Sequence, residues 1–410
     1  MTILYNIGIR IYYMLILIAS TFNNKASLWI KGRHGVLGEI RQSLNANEKN
    51  AWFHVSSLGE FEQGRPIMEQ FKKHYPEYKI ILTFFSPSGY EIRKNYSAAD
   101  FVCYLPLDTK RNARKFIEYV NPELVFFVKY DYWYHHLKAA QESGSRLFLV
   151  SGIFREKQAF FKSYGSWYRQ ILSWFEHLFV QDIESINLLK QIGIEHCSVA
   201  GDTRFDRVTE IAVNSEEIHA AENFASGFST MVCGSTWPAD EEILIDYIEN
   251  HSNELKLILA PHEIHKSHIE AIEKKLHVPY ALYSKSNETD LTEARVLIID
   301  NIGMLSSIYK YGQLSYIGGG LGNGIHNTLE AAVYNIPVLF GPNYRKFREA
   351  VDLIKCGGAF AFNAASEFAP LLNNLLSDRG KLSVASQAAG AYVKERKGAT
   401  KTILNYLKNN

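Results

Sequence analysis

Short apolar runs alternate along the chain with segments whose apolar positions recur every three to four residues, which is how strands interleaved with helices are written. In the first half the runs are Trp52–Val55, Lys79–Phe85, Phe101–Leu105, Leu124–Val128, Leu147–Val150, His177–Val180 and Cys197–Ala200. Helix-like segments fall between them at Pro66–Tyr75, Glu91–Tyr96, Asn112–Tyr119 and Asp182–Gln191. In the second half a run from Met231 leads into Gly234-Ser235-Thr236, followed by Leu255–Ala260, Val296–Ile299, Leu314–Ile317 and Pro337–Phe340. Helices are expected from Pro238, over Leu305–Tyr311, from His326, over Arg345–Leu353, and between Ala365 and Leu407. Strand-helix alternation at this spacing predicts an α/β chain with mostly parallel sheets. At 410 residues one core is not enough, so two domains are expected. They are placed at 25–215 and 216–410, parted by a polar helical linker near 207–225, with the last helix free to pack back on the first domain.

The amino-terminal pattern is different. Ile3 to Phe22 is apolar almost throughout, and as a helix it would be about 30 Å long, near the thickness of a bilayer core. Arg10 lies inside the run rather than ahead of it, and no small-x-small site follows, which argues against a cleaved signal peptide. Asn6 and Arg10 share a helical face, so the first half can lie in the interface with Arg10 snorkelling. Lys25, Lys31, Arg33, His34 and Arg41 then supply a basic flank suited to an anionic, cytoplasmic-side membrane surface. Residues 1–24 are therefore expected to form a membrane-associated helix, spanning or lying flat. The alternative is a helix packed on the first domain without lipid contact.

Composition narrows the classes. The net charge is +1, so the chain has no nucleic-acid signature. Cys103, Cys197, Cys233 and Cys356 form no CxxC pair and point to free thiols rather than a metal site.

Candidate chemistry collects where strands end. Glu60 follows the run Trp52–Val55 and the turn Ser56-Ser57-Leu58-Gly59, opening a helix. A carboxylate there sits at the carboxyl edge of a sheet, where open α/β folds bind ligands, although any first-turn acid also suits the helix dipole. The loops Ser56–Gly59, Ser86–Gly89, Lys129–Trp133 and Ser151–Arg155 should gather on that same edge, bringing in Asp131 and Trp133. Arg204, at the end of the last strand of the first half, could grip an anion bidentately. Phe160–Trp174 is rich in Tyr and Trp and reads either as an acceptor-facing surface or as core. In the second half Gly318-Gly319-Gly320-Leu321-Gly322-Asn323-Gly324 precedes a helix opening at His326, a way of cradling phosphate with backbone N–H groups. Glu330 in that helix could accept hydrogen bonds from ribose hydroxyls or a base. No GK[ST] follows the glycines, and they lie late in the domain. A nucleotide-sugar therefore fits better than ATP or NAD.

The stretches HVSSLGE (54–60), TFFSPSG (83–89), GDTRFD (201–206), GGGLGNGIHNTLEAA (318–332) and VLFGPN (338–343), in this order behind an apolar amino terminus, resemble the 3-deoxy-D-manno-octulosonic-acid (Kdo) transferases of lipopolysaccharide synthesis. The resemblance implies a GT-B type fold, two Rossmann-like domains facing across a cleft. It further implies inverting transfer of Kdo from CMP-Kdo to an acylated lipid A precursor in the membrane, with no cofactor and no metal. Glu60 matches the family's general base. Asp131 stands where a second glutamate is usual, Arg204 where a lysine is usual, and His262 where an arginine more often holds the CMP phosphate. Lys129 and Met304 replace acidic residues. CMP would be held by Gly319, Gly320, Asn327 and Glu330, with Pro261, His262, Asn301, Ile302 and Gly303 as further contacts. The resemblance leaves the oligomeric state open. Other readings of the same shell are a UDP-sugar transferase or epimerase, or a non-catalytic membrane-associated scaffold.

Overall fold

Each apolar run of the first half forms a strand: β1 (Asn50–Val55), β2 (Lys79–Phe84), β3 (Phe101–Tyr104), β4 (Pro122–Val128), β5 (Arg146–Gly152), β6 (His177–Val180) and β7 (Cys197–Val199). They pair in parallel in the order β3-β2-β1-β4-β5-β6-β7. All six residues of β1 are buried, because helices cover both faces of a parallel sheet and leave no solvated side to alternate with. The helices that matter below are α1 (Thr2–Ala19), α2 (Asn24–Lys31), α3 (Val36–Ser43), α4 (Leu58–His74), α5 (Pro87–Arg93), α6 (Lys110–Val120) and α7 (Tyr134–Glu142). Helix α4 runs unbroken through Pro66, joining Glu60 and the expected helix Pro66–Tyr75 in one element.

The computed structural model describes residues 1–45, 47–251, 255–287 and 290–410. It divides into one unit of Met1–Arg207 with Lys397–Asn410, and a second of Val208–Arg396. The expected boundary at 215 thus falls earlier, within the helix Arg204–Val213. The last helix, Ala399–Asn409, belongs to the first unit: Ile403 and Leu407 enter the core formed with Phe148 and Phe179. Asp206 fixes its start by accepting the N–H groups of Gly398 (2.5 Å) and Thr400 (2.7 Å).

The second unit is built on β8 (Ser229–Thr236), β9 (Leu255–Pro261), β10 (Tyr280–Leu282), β11 (Val296–Ile298), β12 (Leu314–Ile317), β13 (Val338–Phe340) and β14 (Ala359–Ala361). Its parallel order is β10-β11-β9-β8-β12-β13-β14. The edge strands β10 and β14 were not foreseen, since three residues are too few to show a period. The helix expected from His326 is a single turn, Leu329–Ala332. Asn327 spends its side-chain oxygen on the Leu329 N–H (3.1 Å), and the chain turns at Asn335 with φ of 58° ahead of Pro337.

Helix α1 departs from its expected arrangement. Near its start it is tied to the rest of the first unit: Tyr5 donates to buried Asp108 and packs on Tyr134 and Trp167. Asn6 meets His135 at 2.6 Å, so it points at protein rather than at an interface shared with Arg10. Arg33 likewise leaves the basic flank. Its guanidinium lies 3.7 Å over the Trp29 ring and donates to the carbonyls of Leu105 and Phe85. Burial lowers its pKa to about 9. The outer side of α1 remains apolar and open, with Ile3, Leu4, Ile7, Ile11, Met14, Leu15 and Ile18 all exposed.

Candidate active site

In the first unit strand order reverses between β1 and β4, so the loops leaving these two strands diverge and open a crevice at the carboxyl edge. Glu60 leaves β1 as the first-turn acid of α4, and Lys129 leaves β4 directly. Lys129 Nζ lies 3.9 Å from Glu60 Oε1, both side chains about one-fifth exposed. The Ser57 hydroxyl donates to Glu60 Oε2. Lys129 adopts φ of 64°, a left-handed conformation that costs a non-glycine residue about 1–3 kcal/mol and is commonly met at functional sites.

Asp131 goes to a different partner. Its Oδ2 is 3.0 Å from His54 Nε2, the same nitrogen that accepts from Trp133 Nε1 at 3.1 Å, while His54 Nδ1 meets Thr83 Oγ1 at 2.8 Å. His54 is fully buried. Burial holds its pKa below the usual value, with Asp131 pulling the other way. Arg204 opens the helix Arg204–Val213, and its Nε and Nη2 both reach Asp202 Oδ2 (2.9 and 2.7 Å). Asp202, also held by Gln63 at 3.1 Å, is kept below the ordinary carboxylate range despite burial. Tyr130 links the set. Burial raises its phenol pKa, with Arg155, Glu60 and Arg204 all within electrostatic reach. Glu60, Asp131 and Arg204 thus share one sheet edge, each tied to its own partner. The sequence reading missed Ser57 and His54, and took Lys129 only as a departure from the family.

The second unit reverses between β8 and β12. The glycine loop follows β12, and its floor is Asp240, buried in the first turn of the helix Pro238–Asn250. Asp240 accepts the Gly319 N–H (2.8 Å), the Trp237 N–H (3.0 Å) and the Tyr316 hydroxyl (2.7 Å). Gly319 has φ of 89°. A Cβ on Gly320 would stand 2.6 Å from the Gly341 nitrogen, so backbone passes against backbone there. Beside the loop three rings stack: Trp237 on His262 (4.7 Å) and His262 on His326 (4.5 Å). Trp237 Nε1 donates to His326 Nε2 at 3.1 Å. Burial lowers the His326 pKa, and His262 lowers it further. Asn327 and Glu330 pair at 2.9 Å. Pro261 ends β9 and is buried, with His262 just beyond it.

Asn301, Ile302 and Gly303 follow β11, two strands from β8 along the same edge. Asn301 Oδ1 is buried without a partner, and Ile302 is 86% exposed. The sequence alone marks His326 only as a helix start and singles out neither Asp240 nor Trp237. An aromatic residue immediately after a buried strand was the available signal.

Residues 30–207 match the family model described as 3-deoxy-D-manno-octulosonic-acid transferase (kdotransferase). A 3-deoxy-D-manno-octulosonic acid transferase of Chlamydia muridarum is 25% identical over 358 residues, covering 84% of this chain and 82% of that protein. One from Aquifex aeolicus is 27% identical over 357 residues, covering 85% and 92%. In structure the chain is similar to UDP-GlcNAc 2-epimerase from Neisseria meningitidis, with a TM-score of 0.62 at 14% identity over 88% of this chain and all of that one. That likeness shows the GT-B type fold alone. Across most of its length the chain is thus similar to relatives of one activity, the 3-deoxy-D-manno-octulosonic acid transferases, and residues 30–207 match the model of that family.

Proposed function

We propose that the chain transfers Kdo from CMP-Kdo to a lipid A precursor of the lipid IVA type, with inversion and without a metal, using Glu60 as general base. The observation that carries this reading is the partly exposed Glu60 carboxylate at the strand-order reversal, held from one side by Ser57 and from the other by Lys129. A carboxylate so placed can take the proton of the acceptor hydroxyl while its oxygen attacks the anomeric carbon. The new C–O bond forms as the bond to the CMP phosphate breaks, and CMP leaves with that electron pair. Asp131 and Arg204, on the same edge, would orient the acceptor and offset the charge of the sugar carboxylate.

CMP would sit on the glycine loop of the second unit, with backbone N–H groups toward its phosphate. The Asn327–Glu330 pair would meet the ribose, His262 would lie beside the phosphate, and Pro261 and Asn301–Gly303 would line the base. The open apolar side of α1 would lie on the cytoplasmic face of the inner membrane, where such an acceptor is found.

The test is Glu60→Gln, incubated with CMP-Kdo and tetra-acylated precursor in detergent and followed by product mass. Transfer should fall at least about 100-fold while CMP affinity stays within a few-fold. Turnover near the wild-type rate would remove Glu60 from the base role.

A further inference from the structure

Away from Glu60 and the glycine loop, the first unit holds a cavity of about 250 Å³ where three helices begin. Thr2, Lys110 and Tyr134, the first residues of α1, α6 and α7, all line it, so the positive ends of three helix dipoles converge there. Its walls carry Lys110, Arg114 and Lys138 against one carboxylate, Glu142. Lys138 is 3.7 Å from Glu142. Lys110 and Arg114 are exposed and have no acidic partner among the described residues. Asp108, a buried acid bonded to α1 and α7, is already engaged by Tyr5, His136 and the N–H groups of His135 and His136. His135 adds no charge at neutral pH: burial lowers its pKa, and Lys110 and Lys138 lower it further.

The cavity also borders the open apolar side of α1. Thr2 and Asn6 turn into it, while Ile3 and Ile7, each one position further round the helix, are 75% and 48% exposed. A cationic seat thus adjoins a strip of bare hydrocarbon, which matches one end of an anionic amphiphile to each part.

We propose that this cavity binds the phosphate of an anionic membrane lipid headgroup, with the acyl chains following the exposed strip of α1. Lys110 and Arg114 supply the charge-assisted hydrogen bonds, Arg114 through the fork that suits phosphate oxygens. The proposal rests on reading α1 as membrane-facing, and the experiment separates the two. The full chain is floated with vesicles of phosphatidylcholine alone, or with phosphatidylglycerol added, or with oleate added to equal surface charge. The wild type should bind phosphatidylglycerol vesicles about 10- to 30-fold more tightly than either of the others. Lys110→Ala/Arg114→Ala should lose that preference while binding phosphatidylcholine vesicles, and CMP, as the wild type does.

A preference that survives in the double variant overturns the cavity assignment and leaves the membrane reading standing. Equal binding to phosphatidylglycerol and oleate vesicles overturns the phosphate assignment in favour of diffuse charge attraction. Failure to float with any vesicle overturns both readings. Calorimetry with inorganic phosphate distinguishes the source: millimolar binding lost in the double variant, with vesicle preference unchanged, would assign the cavity to a free phosphate and overturn the lipid proposal.

Discussion

The carboxyl edges of the two sheets share a topological device and furnish it in opposite ways. Both reverse strand order beside a central strand, at β1/β4 in one unit and β8/β12 in the other. The first edge is lined with titratable and charged side chains, each with a partner inside the same unit: Glu60 with Lys129, Asp131 with His54, Arg204 with Asp202, Asp108 with His136. The second edge offers bare backbone and stacked rings, with one buried carboxylate, Asp240, pinning the loop from below. Under the function proposed above, the proton moves among side chains fixed by partners of their own, and the phosphate is held where side chains are removed so that the backbone can approach.

The largest test of this contrast lies in the first unit's charges. Asp108→Asn should destabilise the protein by about 3–5 kcal/mol, because His136 loses its partner inside the protein, measured as a lower urea midpoint at pH 7. Burial alone would raise the Asp108 pKa, but hydrogen bonds from His136, Tyr5 and the His135 N–H outweigh it, so the folded value lies below the ordinary one. Its stabilisation is therefore complete above the unfolded value of about 4 and fades as pH falls through the lowered folded value. The variant should lose that acid sensitivity. An unchanged acid profile would erase the contrast.

Next, Gly320→Ala should cost about 1–3 kcal/mol, since its Cβ meets Gly341 backbone rather than a side chain that can swing away. Calorimetry should show CMP affinity reduced at least about 10-fold, because a crowded loop can no longer approach the phosphate closely. Unaltered affinity would take the loop out of phosphate binding.

A smaller effect separates stability from activity on the first edge. Lys129→Gly should relieve the positive φ and raise stability by about 1 kcal/mol, seen as a higher thermal midpoint. Losing the cation beside Glu60 should slow transfer about 10-fold. A variant both more stable and fully active would make Lys129 a bystander.

Last comes the ring stack. His326 is held neutral at pH 7 in the free chain by burial and by His262, and an anion placed beside it favours the protonated ring. CMP affinity should therefore rise about 3- to 10-fold between pH 8 and pH 6, and His326→Asn should flatten that slope. A flat wild-type profile would leave the stack with a packing role alone.

Most of this architecture was legible in the chain, for identifiable reasons. Buried parallel strands are written as unbroken apolar runs, so Trp52–Val55 or Leu255–Ala260 declare themselves without tertiary context. Glu60 and the glycine loop stood out because turn chemistry and helix starts are local signals. What stayed hidden was long-range. His54 sits in an apolar run, and nothing nearby in sequence shows that Thr83, Asp131 and Trp133 will converge on its ring. Arg33 reads as surface charge until Trp29, Phe85 and Tyr104 close around it. Asn6 seemed to belong with Arg10, four positions on, yet it meets His135 instead.

The return of residues 399–409 to the first unit has a consequence for how the molecule is made. The chain leaves that unit at Arg207, builds another entirely, and comes back with Ile403 and Leu407 as the final pieces of the earlier core. A nascent polypeptide must therefore carry an unfinished hydrophobic face until residues 399–409 emerge from the ribosome. Loss of residues 399–409 would spare every residue of Val208–Arg396 and still leave the part made first unable to seal.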